Sequence, residues 1–215
     1  MINYIPNQKN INWLHITTVL VLALIAISAG IGLRDPWIPD EPRYVLMAKN
    51  MVDTGNWIIP YRGIEIYSDK PPVFMWLIAA LYSLFGSINI TFLLPSLFSA
   101  MGVLIITYDI TRRCWSHNTA IISVFILLGS YQFMLQAKAA EIDMTLTLFT
   151  TFALYGLIRT LYLNDEHRWL YLAFLSMGIG VITKGVGFLP ILLLFPYAYT
   201  RMRKWADRAD NVITP

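Results

Sequence analysis

Long apolar runs dominate the chain, and their lengths predict helices that cross a membrane. The first run, over residues 11–33, would rise roughly 34 Å as an α-helix, which is enough to cross a hydrocarbon core of about 30 Å. A cleaved signal peptide is the alternative for this run, although its apolar part is longer than such peptides have. The whole pattern predicts an all-α integral membrane protein with about six spans, at residues 11–33, 90–108, 120–136, 144–163, 169–183 and 186–199.

One shorter run, at residues 72–85, decides how these spans are oriented. As a helix it covers only ~21 Å, which is short for a span. If it lies in the membrane interface, residues 34–89 form an external loop that contains juxtamembrane helices. The basic side chains of the other loops then fall on one side, as the positive-inside rule requires: Lys9, Arg112, Arg113, Arg159, Arg168, Arg201, Arg203, Lys204 and Arg208. In the alternative topology 72–85 is a true span, the N-terminus is outside, and residues 34–70 lie inside, away from Asp143.

Composition agrees with a membrane protein and argues against several other classes. The chain is 57% hydrophobic and only 13% charged, whereas soluble domains carry about 25% charged residues. The net charge of +3 is explained by basic inner loops, so we predict no nucleic-acid partner. Cys114 is the only cysteine and the three histidines are scattered, so no Cys/His spacing indicates a closed metal site.

Ionisable residues gather on the outer side of the predicted spans, where charges are costly unless they are solvated, paired or functional. They occupy the two ends of the external loop, the turn near residue 140 and the start of the next outer turn: Asp40, Glu41, Arg43, Asp69, Lys70, Lys138, Glu141, Asp143 and Lys184. Structural explanations exist for single members. Asp40 can be a helix N-cap before an apolar stripe that lies on the bilayer, Asp143 can complement a helix dipole, and Lys184 can extend to the membrane surface. None of these explains why the charges share one face.

Four motifs in this region resemble a known family. The segment "WIPDEPRY" is similar to the start of the first external loop in polyprenyl-phosphate-dependent glycosyltransferases of the GT-C fold. That group includes the aminoarabinose transferases of lipid A and the protein O-mannosyltransferases. In the aminoarabinose transferases the elements read Asp-Glu-Thr-Arg-Tyr, Glu-Lys-Pro, Ala-Arg-x-x-x-x-Asp and Lys-Gly-Pro. Here the matching residues are Asp40-Glu41-Pro42-Arg43-Tyr44, Asp69-Lys70-Pro71, Ala137-Lys138 with Asp143, and Lys184-Gly185.

The departures from the family pattern are Pro42 for Thr, Asp69 for Glu, Lys138 for Arg and Val186 for Pro. They preserve the sign of the charge at every ionisable position, so the resemblance implies the same general chemistry more than the same substrate. Members of the family are typically more than twice as long. We therefore expect residues 1–215 to be the N-terminal transmembrane core of a longer enzyme.

The resemblance implies a glycosyltransferase of the bacterial inner membrane with its active face in the periplasm. The donor would be a polyprenyl-phosphate sugar and the acceptor a lipid or a protein, as in the transfer of 4-amino-4-deoxy-L-arabinose to lipid A. We expect Asp40 and Asp143 to be catalytic, with Asp40 acting as a base towards a hydroxyl or as a charge-stabilising group towards a phosphate acceptor. The expected substrate-binding residues, several of them cations that neutralise phosphate, are Glu41, Arg43, Tyr44, Lys70, Lys138 and Lys184.

A divalent metal is the one cofactor that the resemblance suggests. In the relatives the acid of the Glu-Lys-Pro element can bind such a cation, which makes Asp69 the candidate ligand here.

Two other classes of function also fit a membrane bundle with charged ends. One is a lipid or ion transporter or flippase, and the other is an inactive, truncated membrane subunit. Transporters usually keep charges near the membrane midplane, often at broken helices. The predicted spans are nearly free of central charges, which favours chemistry at the membrane surface.

Overall fold

The computed structural model describes residues 13–213, and most of them lie in helices. In chain order these are α1 (Trp13–Ser28), α2 (Glu41–Thr54), α3 (Val73–Phe85), α4 (Ile88–Thr91), α5 (Leu94–Cys114), α6 (His117–Gly129), α7 (Tyr131–Ala137), α8 (Ile142–Leu161), α9 (Arg168–Lys184), a 3₁₀ helix (Leu189–Leu193) and α10 (Leu194–Ile213). A short antiparallel hairpin, β1 (Tyr61–Arg62) and β2 (Glu65–Ile66), joins α2 to α3. The predicted helical class is therefore confirmed.

Two of the predicted spans coincide with helices that are long and apolar enough to cross a membrane. One is the continuous stretch Ile88–Cys114, which contains α4 and α5, and the other is α8. Both extend the predicted ranges 90–108 and 144–163 at their N-terminal ends. Within residues 13–213 these two, or three if a bent helix pair is counted as one span, are the candidate membrane spans. The predicted number of six is not reached by this measure.

The first predicted span is shorter than expected in the described part of the chain. Residues 11 and 12 lie outside that part, and α1 ends at Ser28 rather than at residue 33. The chain leaves the helix through Gly30 and Gly32, whose φ angles of +99° and +78° lie in the left-handed region that glycine favours. Apolar side chains continue past this turn, so hydrophobicity alone predicts too long a helix.

The predicted span over 120–136 is not one continuous helix. It consists of α6 and α7, which are bent by 73° where they meet. Ser130 separates them in an extended conformation, and its N–H donates to the carbonyl of Leu127. Glycine and serine are weak helix formers, so the Gly129-Ser130 pair allows the chain to turn inside an apolar run.

The last predicted span, 186–199, is also not formed as one helix. After α9 the chain turns at Gly185, passes through the 3₁₀ helix and continues as α10 beyond the predicted end. The turn brings Gly187 directly against α9, where a Cβ atom would lie only 2.1 Å from the carbonyl carbon of Gly180. This approach requires glycine, and it replaces the first part of the predicted span by a tight turn.

The external segment forms a layer in which α2 and α3 pack against each other. The apolar stripe of α2, with Tyr44, Met47 and Met51, is almost fully buried, and Phe74 and Ile78 of α3 belong to the same core cluster. The alternative in which this stripe lies on the bilayer is therefore wrong, because the neighbouring helix covers it. α3 itself is only 13 residues long, in keeping with a helix that does not span.

Three outer segments meet at one end of the bundle, which we call the outer end. It comprises residues 34–89, the turn 138–141 and the C-terminus of α9. Arg34 donates to the backbone carbonyl of Lys138 at 2.8 Å, and Lys184 forms an ion pair with Asp143 at the start of α8. The inner end comprises the C-termini of α5 and α8 and the N-terminus of α9, where Arg113 lies 3.9 Å from Asp165.

Sidedness can be tested by labelling single cysteines in the full-length protein after Cys114 and any other native cysteine have been replaced by serine. Ile64, at the tip of the hairpin, is 97% exposed, and Trp115 at the inner end is 60% exposed. We expect a membrane-impermeant maleimide to label Ile64→Cys in intact spheroplasts and Trp115→Cys only after lysis. Labelling of Ile64→Cys only after lysis would support the alternative topology, in which residues 34–70 are inside.

Candidate active site

A buried ion pair fixes the start of the external loop to the next outer turn. The guanidinium of Arg34 donates two hydrogen bonds to the carboxylate of Glu41, at 2.6 and 2.8 Å. Glu41 also accepts from the backbone N–H groups of Trp37 at 2.6 Å and Ala140 at 2.7 Å. Because Arg34 additionally binds the carbonyl of Lys138, two side chains connect segments about one hundred residues apart in sequence.

The electrostatics of this pair favour its ionised form. Burial alone would raise the pKa of Glu41, but the hydrogen bonds from Arg34, Trp37 and Ala140 outweigh burial and hold the pKa below its ordinary value. The hydrogen bond to Glu41 raises the pKa of Arg34 in turn. Glu41 is only 4% exposed and its oxygens are occupied by protein donors. Its expected role in binding substrate is therefore less well supported than a structural one.

Asp40 lies beside the ion pair of Arg34 and Glu41, which we call the clamp. Its own side chain has a different partner. It occupies the N-cap position of α2, yet its side chain makes no capping hydrogen bond. Instead it forms an ion pair with Arg43, one turn along the helix. The guanidinium carbon of Arg43 lies 5.6 Å from the ring centroids of both Tyr44 and Tyr67. The helix and two aromatic rings thus fix Arg43 next to the candidate catalytic carboxylate.

Tyr44 is the point at which the predicted site residues converge. Its hydroxyl lies 3.3 Å from the Nζ atom of Lys70. Burial raises its pKa, and the charges of Arg43, Glu141, Asp143 and Lys184 all act on that pKa as well. These residues come from the external loop, the second outer turn and the end of α9.

Asp143 and Lys184 form the opposite part of the site. Asp143 lies in the first turn of α8 and Lys184 in the last turn of α9. Their side chains form an ion pair, with about 40% of each side chain exposed to solvent. Each charge is also favourable towards its own helix dipole. Dipole complementation and ion pairing therefore act together here, and the exposed fraction leaves both groups accessible to a ligand.

A cavity of about 610 Å³ opens beside the clamp. Its polar rim contains Asp40, Lys138 and Glu141, and its wall is largely apolar, with Ile27, Ile31, Leu93, Met134 and Leu135 among the lining residues. The cavity is bounded by the end of α1, the loop that precedes α2, and α7 with the turn that follows it. A largely apolar lining with a few charged groups suits an amphipathic ligand.

The predicted metal ligand, Asp69, gains no support from its surroundings. Among residues 13–213, no group of three or more His, Cys, Asp or Glu side chains gathers in a way that could hold a metal ion. Asp69 acts on the pKa of Tyr67 together with Arg43 and Lys70, so it belongs to a region with cationic groups. The donors that the described residues place around Asp69 do not fit a metal site.

Two residues of the site were not identified from the sequence. The role of Arg34 cannot be read from the sequence, because local spacing does not show its partner. A signal was present, since an arginine at the outer end of the first span runs against the positive-inside rule. Tyr67, which is buried and packs against Arg43, carries no comparable signal.

Comparison with known proteins identifies a family and shows how much of the length of its relatives this chain covers. The sequence pattern of the dolichyl-phosphate-mannose-protein mannosyltransferase family matches residues 69–210. An uncharacterized protein from Aquifex aeolicus is 34% identical over 191 residues, which covers 86% of this chain and 38% of that protein. The undecaprenyl phosphate-alpha-4-amino-4-deoxy-L-arabinose arabinosyl transferase of Pseudomonas savastanoi pv. phaseolicola is 29% identical, with 86% of this chain and 36% of that protein covered.

Solved structures share the fold of this chain and show the same partial coverage. The crystal structure of ArnT from Cupriavidus metallidurans in the apo state superposes with a TM-score of 0.80 at 25% identity, covering 86% of this chain and 36% of that one. The same protein bound to undecaprenyl phosphate also gives a TM-score of 0.80, at 23% identity. The chain thus spans little more than a third of the length of the relatives it matches.

The clamp generates a prediction about stability. We expect Glu41→Gln to destabilise the protein by about 3 kcal/mol, because it leaves a partly buried guanidinium without its counter-charge. Thermal unfolding in detergent measures this loss. Glu65→Gln is the matched control, because Glu65 is 72% exposed in its ion pair and should contribute less than about 1 kcal/mol.

The pH dependence of unfolding gives a second readout of the same variant. A carboxylate with a lowered pKa stabilises the fold fully above its ordinary pKa of 4.5, and this contribution is lost as the pH falls through the lower folded value. We expect Glu41→Gln to remove that part of the acid destabilisation. Equal melting temperatures and equal pH profiles for wild type and Glu41→Gln would contradict a structural clamp.

Proposed function

Because this chain belongs to the dolichyl-phosphate-mannose-protein mannosyltransferase family, we propose that it forms part of a membrane enzyme that transfers a sugar from a polyprenyl phosphate to an acceptor. The donor we propose is 4-amino-4-deoxy-L-arabinose carried on undecaprenyl phosphate, and the acceptor is lipid A. Similarity to the Pseudomonas transferase and to ArnT supports this choice over a hexose donor. The enzyme would lie in the bacterial inner membrane, with the outer end of the bundle facing the periplasm.

The observation that carries this proposal is the convergence of charged groups on Tyr44. Lys70 lies 3.3 Å from its hydroxyl, and the guanidinium carbon of Arg43 lies 5.6 Å from its ring centroid. Asp143 and Lys184 form an ion pair whose charges also act on its pKa. A lipid-phosphate donor places its phosphate at the membrane surface and its chain in the bilayer. Cations grouped at the outer end, beside a cavity with apolar walls, match both parts of such a donor.

Among the three cations, Lys70 is the best candidate for the first contact with the donor phosphate. Arg43 and Lys184 each contact a carboxylate, Asp40 and Asp143 respectively, whereas Lys70 contacts a neutral hydroxyl. A phosphate therefore has to compete with a carboxylate for two of the cations but not for Lys70. Binding at Lys70 would bring the phosphate close enough to exchange partners with the other two.

The proposed reaction replaces one bond at the anomeric carbon by another. An oxygen of the acceptor phosphate attacks that carbon and forms a new C–O bond, while the bond from the carbon to the donor phosphate breaks. Undecaprenyl phosphate leaves with an additional negative charge, which Arg43, Lys70 and Lys184 would stabilise. No proton has to be removed from a phosphate acceptor that is already anionic, so a general base is not essential.

The two carboxylates would then act on the sugar rather than on the acceptor. Asp40 would stabilise positive charge that develops at the anomeric carbon as the donor bond breaks. Asp143, together with Glu141, would attract the ammonium group of an aminosugar, which distinguishes this donor from a neutral one. Asp40 and Asp143 are each paired with a cation, Arg43 and Lys184 respectively. Each carboxylate would be released when the donor phosphate binds that cation.

Transport is the second function that an observation favours, because α6 and α7 form a broken helix of the kind found in transporters. A carrier for ions or charged lipids would need ionisable groups at such a break. Residues 118–137 contain no Asp, Glu, Lys, Arg or His. The broken helix therefore offers no ionisable side chain to a charged substrate, and sugar transfer remains the better account.

The transfer reaction can be tested by substituting the proposed charge-stabilising residue. We expect Asp40→Asn in the full-length enzyme to lower kcat for transfer from the undecaprenyl-linked aminosugar to lipid A by at least about 10²-fold. Asp53→Asn is the matched control, because Asp53 lies on the same helix and is exposed. Turnover at the wild-type rate by a stably inserted Asp40→Asn variant would refute the assignment.

The role of Lys70 is tested by the affinity for the lipid phosphate rather than by the rate of turnover. We expect Lys70→Gln to weaken donor binding by about tenfold or more, because a charge-assisted contact to the phosphate is lost. Lys49→Gln, at an exposed position of α2, should leave donor affinity unchanged. Titration with undecaprenyl phosphate provides the measurement, because this product carries the same lipid phosphate as the donor. Equal affinities for Lys70→Gln and wild type would rule out a phosphate contact.

A further inference from the structure

A second cavity lies at the inner end of the bundle, away from the candidate active site. It has a volume of about 490 Å³ and lies between α1, α5, α8 and α9. Its walls include Ile16, Leu20, Ile105, Ile106 and Phe152. Ile105 is 50% exposed, so the cavity opens on the outer surface of the helices. The volume and the apolar walls suit a hydrocarbon chain that enters from the side.

The mouth of this cavity carries two arginines from the last turn of α5. Arg112 donates to one oxygen of Asp109 at 2.6 Å, and Arg113 donates to the other at 2.5 Å. The Nε atom of Arg112 is shielded from water and has no hydrogen-bond partner among residues 13–213. A shielded guanidinium donor without a partner is unfavourable unless a ligand supplies an acceptor.

The charges around the mouth do not balance. Asp109 also accepts a hydrogen bond from the Tyr155 hydroxyl at 2.6 Å, so a single carboxylate serves two guanidiniums and a phenol. Arg159, which donates to Tyr155 at 2.9 Å, is paired with Asp165 at 2.6 Å. In this described cluster three arginines meet two aspartates, which leaves one positive charge uncompensated.

We propose that this cavity binds an anionic glycerophospholipid from the membrane leaflet at the inner end. One acyl chain lies between the apolar walls, and the phosphate accepts hydrogen bonds from Arg112 and Arg113. The phosphate neutralises the excess positive charge of the arginines. A free phosphate ion would leave the apolar part of the cavity unfilled. The lipid site is separate from sugar transfer, because it lies at the opposite end of the same helices.

The test uses the full-length protein, purified in detergent and examined by native mass spectrometry. Palmitoyl-oleoyl phosphatidylglycerol and palmitoyl-oleoyl phosphatidylcholine serve as probes, because they share acyl chains and differ in net charge. We expect wild type to retain the anionic lipid in preference to the zwitterionic one. Substitution of each arginine by glutamine should reduce this preference about fivefold, and Arg112→Gln/Arg113→Gln should abolish it.

A matched control separates this site from general attraction to a basic surface. Arg201 also lies at the inner end, is exposed and contacts only Tyr197 in its described contacts, so Arg201→Gln removes the same charge without touching the cavity. It should leave the preference unchanged. Equal retention of the two lipids by wild type, equal loss in Arg201→Gln, or displacement of the lipid by millimolar inorganic phosphate would each overturn the proposal.

A wall variant tests the acyl chain without altering any charge. Ile105→Trp fills the opening of the cavity, and Ile122→Trp places the same bulk at an exposed position of α6. We expect Ile105→Trp to lower retention of phosphatidylglycerol severalfold and Ile122→Trp to have no effect. Unchanged retention in Ile105→Trp would exclude the cavity as the binding site, even if the arginine variants fail to fold.

Discussion

The outer end of the bundle depends on the ion pair between Arg34 and Glu41. A buried carboxylate is costly unless its oxygens are fully satisfied, and here one guanidinium and two backbone N–H groups satisfy them. Those donors come from the external loop and from the turn before α8. The pair therefore fixes the external loop to the turn before α8, where Ala140 and Ile142 also pack in the core cluster of α2 and α3. Asp40 is held in place as the neighbour of Glu41.

Two further ion pairs lie at the outer end, and we propose that both exchange partners when a phosphate binds. Asp40 with Arg43 and Asp143 with Lys184 each satisfy a carboxylate and a cation at the membrane boundary, where unpaired charges are expensive. A phosphate that enters this region can take a cation from its carboxylate and leave that carboxylate free to face a sugar. The same contacts that stabilise the fold thus supply the groups that the proposed transfer needs.

Local properties of the sequence predicted much of this arrangement. Length and hydropathy located α5 and α8, and the predicted topology placed residues 40, 70, 143 and 184 on one face. Asp40 occupies the N-cap position of α2 but does not make the capping hydrogen bond, so the structural explanation for it holds only in part. Lys184 is favourable at the end of α9 and also pairs with Asp143, so a structural role and a role in the site are compatible there. The roles of these residues in catalysis and binding stay predictions.

Other features could not be predicted from hydropathy, because they depend on contacts that form only in the folded chain or on breaks that hydropathy does not register. The break at Ser130 lies inside a largely apolar run, and the turn at Gly187 is set by its approach to Gly180. The alternative in which lipid covers the apolar stripe of α2 was wrong for a related reason. Periodicity shows that a helix face is buried, but not whether protein or lipid covers it. Arg34 and Ala140 meet Glu41 only after the bundle has assembled.

A double-mutant cycle on donor affinity tests most directly whether the separate outer segments form one site. Lys70 and Lys184 lie in different segments and are both proposed to contact the same phosphate. If they do, the losses in undecaprenyl phosphate affinity for Lys70→Gln and Lys184→Gln should fail to add in the double variant, with a coupling energy above about 0.5 kcal/mol. Strictly additive losses would show that the two lysines act on different ligands or at independent positions, and would contradict a single site.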